Sequence, residues 1–305
     1  MNFLARALVL SLKCLFIASG LVCATPCLIS PADLKAGIAS GEDLVIVDVS
    51  CEPEDYANGH LPGAIHVCWK ADLSDGQEFY YRVPSKAQFE AVMSRIGATP
   101  DSRLVFYDNR ENRMAIRGLW VAEFYGHRNA AILEGGADAW RRAGYPLTKK
   151  VPTPTATAYR AARSESQMNV EYAWVHANLR NEGVHFVDSR PFAMFTGETQ
   201  GLMIDKDREV ARLGHLPNAT NLPWKKNLAA QASFLDVQAL KDLYSQMGIT
   251  PDKLTVFYCN EGLHAAFNWF VASKLLGNEN VKIYEGSMGE WASDPKRPMV
   301  SGVGF

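Results

Sequence analysis

Cys259 ends an apolar run, Thr255–Tyr258, and is followed by "NEGLHA" at residues 260–265 and then by a helix-like stretch. Gly262 lets the backbone turn tightly with positive φ. A short loop entering a helix aims several N–H groups at one point, and with the helix dipole such a nest stabilises an anion. A sulfur in that field is expected to have a lowered pKa and to exist partly as thiolate. The chemistry is that of a nucleophilic sulfur, or of an anionic product attached to it. The bland alternative is a buried cysteine that merely closes a strand. A near copy of the stretch, "VFYDNRENR" at Val105–Arg113, carries Asp108 in place of the cysteine. That copy lacks the nucleophile, and Arg110 or Arg113 is expected to neutralise its carboxylate.

The copy is part of a longer repeat. "IGATPDSRLVFYD" at Ile96–Asp108 matches "MGITPDKLTVFYC" at Met247–Cys259, with an offset of 151 residues. Glu134-Gly135-Gly136 matches Glu285-Gly286-Ser287, and Trp140 matches Trp291, at the same offset. Earlier, "VIVDVS" at Val45–Ser50 answers "HFVDSR" at His185–Arg190, and "GHLPGA" at Gly59–Ala64 answers "GHLPNA" at Gly214–Ala219. A unit this long is a domain rather than a solenoid repeat. The stretch rich in proline and threonine at residues 149–157 lacks helical periodicity and suits an extended linker. The extra residues of the second copy fall between Phe195 and Leu213, a polar stretch read as a longer loop.

Within each copy, short apolar runs (Leu44–Val47, Leu104–Tyr107, Ala131–Leu133) read as buried strands. They alternate with amphipathic helical stretches such as Lys86–Ile96 and Met114–Tyr125. The fold class is therefore α/β, with two domains that are each a mainly parallel sheet flanked by helices. In such sheets ligands bind beyond the carboxyl ends of the strands, which is where Cys259 stands. His60 and His215 read as turn formers in the "GHLP" segments, and Trp140 and Trp291 as core fillers.

Composition is ordinary for a globular chain of 305 residues, at 48% hydrophobic and 21% charged. A net charge of −2 gives no basic balance that points to nucleic acid or an anionic membrane. The N-terminus differs. Arg6 and Lys13 precede the apolar run "CLFIASGLVCA", and Val22 and Ala24 precede a cleavage point before Thr25. Residues 1–24 read as a secretory signal peptide, with a retained anchor helix as the alternative. Removing those two basic residues takes the net charge from −2 to −4. Cys14 and Cys23 leave with the signal, while Cys27, Cys51, Cys68 and Cys259 remain. They form no metal-binding CxxC pair. Cys51 and Cys68 are either a disulfide of an exported protein or two small buried apolar residues.

Four segments carry a family resemblance: "VDSR" at Val187–Arg190, "GHLPNA" at Gly214–Ala219, "VFYCNEGLHA" at Val256–Ala265 and "YEGSMGEW" at Tyr284–Trp291. In this order, and duplicated in degenerate form, they resemble the tandem-domain rhodaneses, the thiosulfate and 3-mercaptopyruvate sulfurtransferase group. The resemblance runs from about Ser30 to Pro298. It implies a catalytically silent rhodanese-like domain at 28–148, the linker at 149–157 and a catalytic rhodanese domain at 158–303. It also implies ping-pong sulfur transfer, in which Cys259 takes sulfane sulfur from a small anionic donor as a persulfide and yields it to a thiol or cyanide. A protein thiol is a further acceptor of the same kind. The N–H groups of Asn260, Glu261, Gly262, Leu263, His264 and Ala265 would hold the persulfide, and Arg190 would grip the donor's anionic group. Asp188 reads as structural. No metal or organic cofactor is implied, and the signal makes the periplasm the expected compartment.

Departures from the family pattern bear on the donor. Thiosulfate enzymes carry basic residues just after the cysteine, where this chain has Asn260 and Glu261. Mercaptopyruvate enzymes carry a second arginine where "FTGET" at Phe195–Thr199 has Thr196. The expected donor is thiosulfate-like rather than 3-mercaptopyruvate. His264 is either a protonated partner of the thiolate or a partly exposed side chain at a helix start. A cysteine phosphatase needs an arginine at the sixth residue after the cysteine, and Ala265 stands there. The remaining rival is a persulfide carrier or binding module for another exported protein.

Overall fold

The computed structural model describes residues 26–50, 52–76, 82–162, 164, 166–201 and 210–302. The expected signal segment, Cys51 and with it the choice of a Cys51–Cys68 bridge, and residues 202–209 of the expected loop lie outside the described residues. Among the described residues no helix is long and apolar enough to cross a membrane.

Two five-stranded sheets carry the chain. The first comprises β1 (Leu28–Ile29), β2 (Leu44–Asp48), β3 (Ile65–His66), β4 (Arg103–Tyr107) and β5 (Ala130–Leu133), in the order β1-β5-β4-β2-β3. The second comprises β6 (Asn169–Val170), β7 (Val184–Asp188), β8 (Thr220–Asn221), β9 (Leu254–Tyr258) and β10 (Val281–Tyr284), in the order β6-β10-β9-β7-β8. All named strand pairs are parallel, and the register repeats: Asp48 lies beside Tyr107 as Asp188 lies beside Tyr258. The central strands are buried along nearly their whole length, as helices on both faces require. The α/β reading with two equivalent domains is what the structure shows.

The expected helices form with local reasons for their ends. Ser85 caps the helix Lys86–Arg95 by accepting from the Gln88 N–H, which satisfies one of the unpaired donors of the first turn. The second expected helix runs Arg113–Phe124, with eleven of its twelve residues buried. A helix so apolar must be covered on more than one side. It lies on its own sheet and packs across the molecule against the helix Leu263–Phe270. Leu119, Trp120 and Phe124 of the first helix share one apolar cluster with Leu263, Phe267 and Phe270 of the second. Burying each such side chain contributes about 1.5–3 kcal/mol, so the two domains are joined by a core rather than by a hinge.

Charged pairs reinforce this junction: Arg82–Glu290 at 2.8 Å, Lys274–Glu123 at 2.5 Å, and Arg117–Glu285 with both side chains buried. The linker does not leave the first domain abruptly. Thr157 N–H donates to Ser94 O at 3.0 Å and Ala161 N–H to Glu90 Oε1 at 2.9 Å, while Tyr159 packs edge-on against Phe89. Residues just past 157 therefore run along the helix Lys86–Arg95.

The "GHLP" turns behave as turns. His60 bridges Thr148, and His215 bridges Val300. Each imidazole stacks on an aromatic ring, His60 on Tyr56 and His215 on Phe195. Trp140 and Trp291 are buried, and their indole N–H groups donate to Pro146 O and Pro298 O in the two copies.

Candidate active site

Cys259 is the first residue beyond β9, at the carboxyl end of the second sheet, and is only 1% exposed. Its thiol sits inside the loop that follows. Gly262 N–H donates to Sγ at 3.1 Å, and the N–H groups of Glu261, His264 and Ala265 face the sulfur as well. Gly262 makes this possible with φ of 84°, where a side chain would be strained. A Cβ there would also meet Glu285 O at 3.2 Å. Asn260 and Leu263 complete the loop, both buried.

Ser287 fixes the base of the loop. Its hydroxyl accepts from Cys259 N–H at 3.0 Å and donates to Tyr284 O at 2.7 Å. Met288 N–H then donates to Cys259 O at 3.0 Å, and Gly289 N–H to Asn260 O at 2.8 Å. Ser287 holds φ of 50°, a strained value for a non-glycine residue, and strain of this kind persists where its surroundings enforce it. Motif reading missed Ser287. The repeat carried a signal for it, because the matching residue in the first copy is Gly136, also at positive φ.

The thiol's acidity departs from the sequence expectation. Burial pushes the Cys259 pKa up. The loop N–H groups pull it down, but by less, and the nearby Glu261 carboxylate adds to the upward push. Desolvation of a thiolate at 1% exposure outweighs a nest of neutral dipoles. Of the two readings of His264, the structure takes the partly exposed side chain at the start of the helix Leu263–Phe270 over the protonated partner of the thiolate. Burial, together with Arg113 and Lys225 nearby, lowers its imidazole to about 3, so it is neutral at physiological pH and supplies no charge to a thiolate. Its ring stacks on Trp224 with centroids 5.1 Å apart.

The first domain presents the same loop with a different occupant. Asp108 follows β4 as Cys259 follows β9, and its carboxylate lies in the nest. Oδ1 accepts from the N–H groups of Arg110 at 2.6 Å and Asn112 at 2.9 Å. Oδ2 accepts from Met114 at 2.8 Å and Ala115 at 3.0 Å. Backbone amides, rather than the expected Arg110 or Arg113 side chain, satisfy the carboxylate. Gly136 stands against this loop, where a Cβ would lie 2.4 Å from Asp108 O. Burial raises the Asp108 pKa and the four N–H groups pull it back in part, as at Cys259, so one loop cradles carboxyl oxygens and its twin a sulfur.

Comparison with known proteins agrees with this pairing. The rhodanese-like domain matches residues 30–143 and again residues 171–294. The chain belongs to the rhodanese-like family. That family is one of sulfurtransferase enzymes. A Saccharopolyspora erythraea protein named as a candidate thiosulfate sulfurtransferase is 32% identical over 83% of this chain and 88% of its own. A sulfur carrier protein of Thermus thermophilus is 31% identical over 81% of this chain and 87% of its own. Among solved structures, the anaerobic ergothioneine biosynthesis enzyme from Chlorobium limicola superposes with a TM-score of 0.79 at 21% identity. That match covers 91% of this chain and 71% of the other, and it speaks to the fold alone.

In this rhodanese-like chain Arg190 does not stand open to a donor. It is 1% exposed, and its Nε lies 3.0 Å from both oxygens of Asp188. One terminal nitrogen is 2.6 Å from Asp188 Oδ2 and 2.8 Å from Gly214 O, and the other is 3.4 Å from Asn260 Oδ1. Burial works against its charge, but Asp188 more than compensates, so the guanidinium's pKa stands above its ordinary value. The pair holds the β7 end against the Asn260 side of the loop. Arg113 and Trp224, which motif reading did not assign to a donor site, pack against His264. A cavity of about 500 Å³ includes Val281 and Lys282 at the start of β10, the strand end opposite Cys259. Among the described residues no group of three His, Cys, Asp or Glu side chains is placed to hold a metal.

Proposed function

We propose that the chain moves sulfane sulfur from a small anionic donor, thiosulfate-like rather than 3-mercaptopyruvate, through a persulfide on Cys259 to a thiol or cyanide. The supporting observation is the pair of matched loops: the nest that surrounds Cys259 Sγ has a twin whose four N–H groups hold the Asp108 carboxyl oxygens. In the first half-reaction the Cys259 thiolate attacks the outer sulfur of thiosulfate. The S–S bond breaks, sulfite leaves with the electron pair, and the enzyme keeps the sulfur as a persulfide. The terminal persulfide sulfur is anionic and reaches further into the N–H groups of Glu261 to Ala265 than the thiolate does. In the second half-reaction cyanide or a thiolate attacks that terminal sulfur and returns the Cys259 thiolate. Asp108 cannot take part, so the first domain is silent in the chemistry. Export, to the periplasm in a Gram-negative cell, is proposed on residues 1–24 alone.

A second reading, a persulfide carrier loaded by a partner protein, is supported by the similarity to the Thermus thermophilus sulfur carrier. Steady-state turnover with thiosulfate and with 3-mercaptopyruvate, using cyanide or dithiothreitol as acceptor, separates the two. Turnover that disappears in Cys259→Ser supports the enzyme. Absence of turnover, with a one-sulfur adduct on Cys259 by intact mass after co-expression, supports the carrier. Full turnover in Cys259→Ser refutes both. The same mass measurement on exported protein reports whether residues 1–24 are removed.

A further inference from the structure

Arg190, which reaches the loop at Asn260, is committed to Asp188 and to Gly214 O, which leaves it little capacity to bind a donor. Arg117 of the other domain also stands against Gly262 but is paired with Glu285, and a second cation of that domain, Arg113, reaches the loop at His264. His264 connects Arg113 to the sulfur. Its backbone N–H faces Cys259 Sγ, and its ring Nε2 lies 3.5 Å from a terminal nitrogen of Arg113. Because the imidazole is neutral, Nε2 can accept that N–H bond. The Arg113 guanidinium also lies 5.4 Å from the Trp224 ring, the same indole on which His264 stacks. Its Nε donates to Arg110 O at 3.3 Å. Among the described residues no carboxylate pairs with Arg113. Lys225 also lies 5.4 Å from the Trp224 ring, but its ammonium is 3.4 Å from Glu111, which offsets its charge. A cavity of about 430 Å³ between the domains abuts that pair, with Arg142 and Asp138 also on its wall.

We propose that Arg113 of the first domain is the residue that selects an anionic sulfur donor for Cys259, with His264 and Trp224 as the positioning residues that aim its guanidinium. This rests on the sulfur-transfer reading and names its substrate-selecting group. The planar guanidinium suits the paired oxygens of a sulfonate or carboxylate. It also gives the silent domain a part in recognition although its own nest is filled by Asp108. A charge held one side chain from the reacting atom, and only partly screened, raises encounter with an anion over a neutral molecule by about three- to tenfold at low salt.

The test is the alkylation of Cys259 by two reagents that differ in charge, followed at the Cys259 peptide by mass. Iodoacetate is an anion and iodoacetamide is neutral. In Arg113→Gln the iodoacetate rate is expected to fall about three- to tenfold while the iodoacetamide rate holds, and Arg113→Lys is expected to recover part of the loss. The KM for thiosulfate rises by a similar factor in Arg113→Gln. Equal changes with both reagents, or no change with either, overturn the proposal, since a merely structural role for Arg113 does not discriminate by charge. A wild-type protein that forms no persulfide with any donor, yet shows the iodoacetate effect, sinks the sulfur-transfer reading and leaves the anion-selecting role standing.

Discussion

Arg117→Met strikes the junction on which the catalytic loop rests. Arg117 comes from the first domain and pairs with Glu285, the residue after β10, with side chains 1% and 3% exposed. Glu285 O in turn faces Gly262, within 3.2 Å of where a Cβ would stand. Removing one member of a buried pair strands the other charge and costs about 3–5 kcal/mol. The cost depends on pH, with a sign set by Glu285. Burial already raises its pKa above the ordinary carboxylate value, and Arg117 is the main influence holding it down. Without Arg117 the folded-state value rises further, while the unfolded value stays ordinary. Below the unfolded pKa both states carry the proton and the penalty is absent. As pH rises through the folded pKa the penalty becomes complete. Urea unfolding followed by tryptophan fluorescence at about pH 5 and pH 8 is therefore expected to show the larger loss at the higher pH. Arg117→Met/Glu285→Gln is expected to recover about 2 kcal/mol or more, because the stranded charge is gone. A single-variant loss below about 1 kcal/mol, an equal loss at both pH values, or no recovery in the double variant refutes the argument.

Gly262→Ala is expected to cost about 1–3 kcal/mol and to slow persulfide formation, since φ of 84° is strained for alanine and the new Cβ crowds Glu285 O. A neutral result in urea unfolding and in persulfide kinetics would show that the loop has other ways to close. Asp108→Ala strips four N–H groups of their acceptor and is expected to lose about 2–4 kcal/mol, with Asp108→Asn losing less; thermal unfolding checks the order. The Cys259 alkylation rate with iodoacetamide is expected to keep rising with pH beyond the ordinary thiol range, because burial pushes the thiol up; a plateau reached by about pH 7 contradicts this.

The two copies of the fold were legible from periodicity and from the held offset of 151 residues, because both are properties of neighbours along the chain. The same holds for the place of Cys259 at a strand end and for the replacement of that nucleophile by Asp108. The strand ends follow from apolar runs of fixed length, and the loop from Gly262 next to a helix start. Even Ser287 left a trace, as a serine opposite a glycine in the repeat.

What the tertiary structure decided are the quantities that depend on remote groups. Charge in a loop is the sum of burial, dipoles and ions from every element packed on it. So the nest was foreseeable, but the raised thiol and the neutral His264 were not. Arg190 is the expected grip for a donor's anionic group, yet Asp188 and Gly214 O claim it. Arg113, which the sequence set beside Asp108, belongs in space to His264, 151 residues away. The sequence by itself determined which atoms can react. Packing decided their charge and their company, because desolvation and ion pairing act through space rather than along the chain.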